Sequence, residues 1–198
     1  MKRNIFTTLL LSLVALASWA QSRNTVNEVL DYREADGKII ISCVVNGIDA
    51  DFVLDLAAQS AILPEYIDTF GIDTTQKGRL PYQGFQYKDI PVRQSVIINS
   101  ISFGNSAFAN GFSVFVLDDA PYLSQLGVAG VIGGSLFQTN VLTIDSRRKK
   151  ITLSQPYRPS YLRLTSRVNA ELQPMGAGME MNVRIDGKSF PCVVDTWN

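Results

Sequence analysis

Two stretches of this chain repeat one another. VVNGIDADFVLD, residues 44–55, and RIDGKSFPCVVD, residues 184–195, each read as strand, two-residue turn, strand and acid. In both, the carboxylate stands eight residues after the turn glycine, Gly47 to Asp55 and Gly187 to Asp195, at a constant offset of 140. Asn-Gly and Asp-Gly favour the left-handed backbone that tight hairpins need. Each copy is therefore expected to deliver an acid at the end of its second strand. Two such hairpins in one chain suggest two related lobes; the bland alternative is a chance match followed by an ordinary C-terminal strand.

The sequence between them predicts a mostly β chain with short helices. Lys38 to Val45 is rich in β-branched residues and Ile48 to Leu54 returns beside it, which puts Asp55 at a strand end. Pro64 to Phe70 reads as a short helix stopped by Gly71. Residues 72–90 are polar and turn-rich, and read as a loop or exposed hairpin. Strands follow at Val92 to Phe103 and within Ala107 to Leu117. GVAGVIGGSLF, residues 127–137, reads as an apolar strand leading through glycines into a short helix. Val141 to Asp145 and Lys150 to Leu153 form a hairpin, and residues 154–178, with three prolines and two glycines, read as a linker. Ser146-Arg147-Arg148-Lys149 is a charged hairpin turn, not an acyl-transfer motif, which belongs at a helix start.

Composition narrows the chemistry. The chain has no histidine, which removes Ser-His and Cys-His nucleophile pairs and histidine-based zinc sites. Acid-base work must then come from carboxylates. With 18 basic and 18 acidic residues and no basic stripe, no footprint for a nucleic acid exists. Cys43 and Cys192, the only thiols, are too few for a disulfide framework or a cysteine-rich metal site. They could pair in an oxidising compartment, but two separate buried thiols are the favoured reading. No cofactor and no metal are expected.

Residues 1–20 are set apart from the fold. Lys2 and Arg3 precede a mainly apolar run, Ile5 to Ala17, and Ser18-Trp19-Ala20 offers small residues for cleavage. The run is shorter than the roughly 20 residues that span a bilayer. It reads as a secretory signal, so the protein is expected to be exported, periplasmic or secreted, with no membrane span after signal removal. The mature chain would carry two net negative charges.

On these residues the chain resembles the retropepsin-like and pepsin-like aspartic peptidases. FVLD stands where their apolar strand delivers the catalytic Asp, and Ser60-Ala61-Ile62-Leu63 resembles its continuation. Val131-Ile132-Gly133 resembles the element that supports the active loop, and VLTIDSRRKKITL the hairpin that closes a lobe. The resemblance implies a closed β-barrel lobe over residues 38–153, after an N-terminal segment at 21–37, with residues 179–198 opening a second, incomplete lobe. It further implies an Asp pair that activates water against a peptide bond. Asp55 and Asp195 would be that pair, or Asp55 from each of two chains in a homodimer, and the partner would be a polypeptide substrate or ligand.

The departures from the family are local. Its Asp-Thr/Ser-Gly is here Asp55-Leu56-Ala57 and Asp195-Thr196-Trp197. Leu56 cannot supply the hydroxyl that cross-links two active loops, a loss of about 1 kcal/mol or more. Ala57 adds a methyl at a close approach, and the Trp197 indole should not fit a glycine position without rearrangement. Three readings follow: an exported aspartic endopeptidase, a non-catalytic descendant that keeps a peptide-binding cleft, and an exported structural or interaction domain.

Overall fold

The computed structural model describes residues 28–78, 80, 86–137, 140–154, 170–172 and 179–197. The expected signal at 1–20 and most of the expected linker lie outside them. The fold is mostly β. Strands β1 (Glu28–Ala35), β2 (Lys38–Val45), β3 (Ile48–Asp55), β4 (Ala61–Ile62), β5 (Gln86–Tyr87), β6 (Ile90–Phe103), β7 (Ser106–Leu117), β8 (Gly130–Gly133), β9 (Val141–Asp145) and β10 (Lys150–Ser154) form one sheet. Its order is β5-β6-β7-β4-β8-β3-β2-β1-β10-β9, and β6 also returns to β2. That return rests on two residue pairs, Val44↔Ser102 and Val45↔Ile101, so the sheet curls back on itself while β1, β9 and β10 extend beyond the curl.

Two short helices, α1 (Tyr66–Thr69) and α2 (Pro121–Leu126), and a 3-10 turn at Gly134–Phe137 link the strands. Proline opens α2 and Gly127, at φ 66°, ends it, as helix-end chemistry favours. No described helix is long and apolar enough to cross a membrane.

β3 has an apolar run instead of an alternating pattern because it is covered on both faces. Phe52 and Leu54 enter one core with Ile41, Cys43, Val45 and Ile98. Val53 enters a second core with Ile40, Leu63, Leu117, Leu123 and Val131. A strand buried this way reads as a continuous hydrophobic segment. Asp55, its last residue, is fully buried.

The second hairpin stands in a separate sheet, β11-β12-β13, with β11 at Ala170–Leu172, β12 at Met179–Ile185 and β13 at Lys188–Val193. Its turn repeats the first: Asn46 and Gly47 have φ of 49° and 86°, Asp186 and Gly187 of 49° and 77°. Val45↔Ile48 and Ile185↔Lys188 are equivalent closing pairs. The surroundings differ, however. Val45 is buried, whereas Ile185, at the matching position, is 56% exposed.

Candidate active site

Asp55 is held in place from two sides. β3 runs parallel to β8, with Leu54 opposite Ile132 and Asp55 opposite Gly133. The buried Ser60 hydroxyl accepts the Gly133 N–H at 3.0 Å, pinning β8 against the loop that follows Asp55. A Cβ on Gly133 would run into the Ala58 carbonyl oxygen, and one on Gly134 would lie 2.9 Å from the Leu56 carbonyl oxygen. Glycine is needed there for the close approach of backbones. Thus Val131, Ile132 and Gly133 run alongside the end of β3 that carries Asp55.

The second acid comes to the same place. Ala57 N–H donates to Asp55 Oδ1 at 2.9 Å, and Trp197 N–H donates to Asp195 Oδ1 at 2.7 Å. The 140-residue offset therefore extends to the hydrogen bond that orients each carboxylate. Thr196 ties the two loops together. Its hydroxyl donates to the Leu54 carbonyl at 2.9 Å and accepts the Leu56 N–H at 3.0 Å. The reciprocal bond is missing because Leu56 has no hydroxyl; its side chain is buried in the core instead.

Lys88, from the two-residue turn between β5 and β6, completes the cluster. Its Nζ lies 2.9 Å from Asp55 Oδ2 and 3.6 Å from Asp195 Oδ2. The first contact is a close ion pair, and Lys88 and the Tyr87 phenol are both hydrogen-bonding neighbours of the Asp55 carboxylate. Burial pushes the Asp55 pKa above its ordinary value, with the Asp195 charge adding to the rise; the Lys88 ammonium and the Ala57 N–H oppose it. Burial and then the two carboxylates also hold the Tyr87 phenol well above its usual range.

Trp197 is accommodated without entering the tight part of the loop. Its ring lies 6.1 Å from Tyr122, between centroids, with Lys88 Nζ 4.8 Å and Lys38 Nζ 5.6 Å from its centre. The expected steric conflict does not arise because the indole lies against these side chains at the half-open edge of the site.

Sequence reasoning missed Lys88 and Tyr87. The segment read as a loop or exposed hairpin does contain a hairpin, but its Tyr87 is buried and its tip reaches the carboxylates. A polar stretch offered no signal for either. Cys43 is buried as expected; Cys192 is half-buried, and the two are unpaired. Among the described residues no group of three or more His, Cys, Asp or Glu converges as a metal site would require. A surface cavity of about 500 Å³, lined by Ser42, Asp49, Asp51 and Tyr66 among others, shares no lining residue with this cluster.

No protein-family model and no curated protein matches the chain. Solved structures do. It is similar to a retropepsin-like aspartic protease from Rickettsia conorii, at 21% identity over 68% of this chain and 94% of that one, with a TM-score of 0.47. It is also similar to the retroviral protease-like domain of Ddi1 from Leishmania major, at 16% identity over 67% and 96% of the two chains, with a TM-score of 0.41.

Proposed function

We propose that the chain is an exported aspartic-type endopeptidase-like protein in which Asp55 and Asp195 act as a pair on a polypeptide. One observation carries this reading: a single cation, Lys88 Nζ, reaches an oxygen of each carboxylate. The two acids therefore face one point from opposite loops. Two carboxylates this near favour sharing a proton, which leaves one as base and the other as acid. The base would take a proton from water as its oxygen bonds to the peptide carbon. The acid would hydrogen-bond the carbonyl oxygen, and a proton would pass to the leaving amine as the C–N bond breaks.

In the arrangement described, Lys88 fills the shared point. It must swing away before a water can be held by both acids. The pair comes from one chain, which supports an intrachain site over a homodimer built from two copies of Asp55. The leader-like residues 1–20 support export to a periplasmic or extracellular space.

The test is cleavage of unfolded protein at acidic pH by the wild type, Asp55→Asn and Asp195→Asn. Each variant should lose about a hundredfold or more in rate. Undiminished cleavage by either would remove that residue from the mechanism. A second reading, a non-catalytic peptide-binding cleft, is favoured by Lys88 at the shared point and by the missing hydroxyl at Leu56. Peptide binding by a wild type that cleaves nothing would select it.

A further inference from the structure

Neither a water-activating pair nor a structural hairpin requires the lysine at the centre of this cluster. The Lys88 ammonium has a carboxylate oxygen at 2.9 Å, another at 3.6 Å and the Trp197 ring centre at 4.8 Å. Two anions and an aromatic face around one N⁺ make a receptor for a primary ammonium. The carboxylates supply charge, and the electron-rich face of the indole adds cation–π attraction. The two oxygens belong to different residues, so they suit a compact ammonium better than the planar fork of an arginine, which pairs best with both oxygens of one carboxylate.

The occupant is lightly tethered. Lys88 and Asp89 form the tip of a hairpin with φ of 44° and 66°. The strand before them, β5, has two residues and holds the sheet through Gln86↔Pro91 and Tyr87↔Ile90. The neighbouring Tyr87 phenol is buried in the field of both carboxylates, with the Asp55 carboxylate as its hydrogen-bonding neighbour. Withdrawal of Lys88 takes away a positive charge that stands 2.9 Å from one carboxylate oxygen and 3.6 Å from the other, which an incoming ammonium would restore.

We propose that Asp55, Asp195 and Trp197 form a binding site for a primary ammonium, occupied here by Lys88, and that its external ligand is a lysyl side chain of a bound polypeptide, which displaces Lys88. This rests on the cleft being peptide-facing and does not require catalysis. Because Lys88 competes from within the chain, the apparent affinity for the ligand is reduced to the fraction of molecules in which it has withdrawn.

The experiment uses the full chain with Trp19→Phe, so that Trp197 is the sole indole. Its fluorescence is titrated at pH 7 with two short peptides, identical except for a central lysine or norleucine. Lys88→Met, which keeps the apolar stem without the charge, should bind the lysine peptide about tenfold more tightly than the Lys88 protein does. It should prefer lysine over norleucine by a similar factor, and Asp195→Asn added to it should erase that preference. Lys88→Gln serves the same comparison if the methionine variant fails to fold. Unchanged or weaker binding of the lysine peptide on removing the Lys88 charge, or equal binding of the two peptides, would overturn the proposal. Failure of the peptidase reading would show separately, as absent cleavage with the lysine preference intact.

Discussion

The hydroxyl of Thr196 donates to the carbonyl of Leu54 at 2.9 Å, joining loops 142 residues apart in sequence. It also accepts the Leu56 N–H, so one side chain satisfies two backbone groups of the opposite loop. Thr196→Val removes both bonds while keeping the shape of the side chain. The expected cost is about 1–3 kcal/mol, since two backbone groups lose their partner. Faster amide exchange at Leu56, with slow exchange kept through β2 and β3, would be its signature. An unchanged Leu56 exchange rate would mean that the cross-link does not hold in solution.

The one-sided cross-link makes Leu56 a second point of test. Leu56→Thr would supply the missing reciprocal hydroxyl but withdraw a buried leucine from the core. Stability should fall by about 1–3 kcal/mol, measured by urea denaturation. If the absent hydroxyl limits the pairing of the two loops, cleavage by the less stable variant should nevertheless rise.

Asp55 should make stability depend on pH in a particular direction. Its folded pKa is raised above the ordinary 3.8, mainly by burial. The folded protein therefore binds the proton more tightly than the unfolded chain does. The stability this group contributes is present below 3.8 and is lost as pH rises through the raised value. Compared with Asp55→Asn, the wild type should lose melting temperature as pH climbs through that window. A difference between the two proteins that stays constant with pH would contradict the burial-driven shift.

The two thiols should react at different rates. Cys43 is 3% exposed, and burial, followed by the Asp51 and Asp49 charges, pushes its thiol well up. Cys192 is half-buried in β13. A thiol reagent at pH 8 should label one cysteine in the native protein and both in urea. Cys192→Ser should abolish the native labelling; if it persists, Cys43 is accessible and the first core is looser than described.

Local chemistry made much of this architecture legible. Asn46-Gly47 and Asp186-Gly187 announce their turns because few residue pairs accept positive φ, and β2 and β3 lie almost where their β-branched runs placed them. The exit of an apolar run at Asp55 marked a strand end. β1 escaped notice because EVLDYREA mixes exposed charges with few inward residues, of which only Tyr32 is buried. The helix Pro121–Leu126 was likewise unread, being too short for a periodic pattern.

The sequence alone determined the two hairpins, their turns and the acid at the end of each, since these depend on residues within a dozen positions of one another. Only the tertiary structure decided that Asp55 and Asp195 meet. It also decided that Thr196 ties their loops together, and that Lys88, from a polar turn without sequence signature, stands between them. Those relations depend on the order of strands in space. The pairing of β3 with β8 and the return of β6 to β2 place residues together that no local pattern connects.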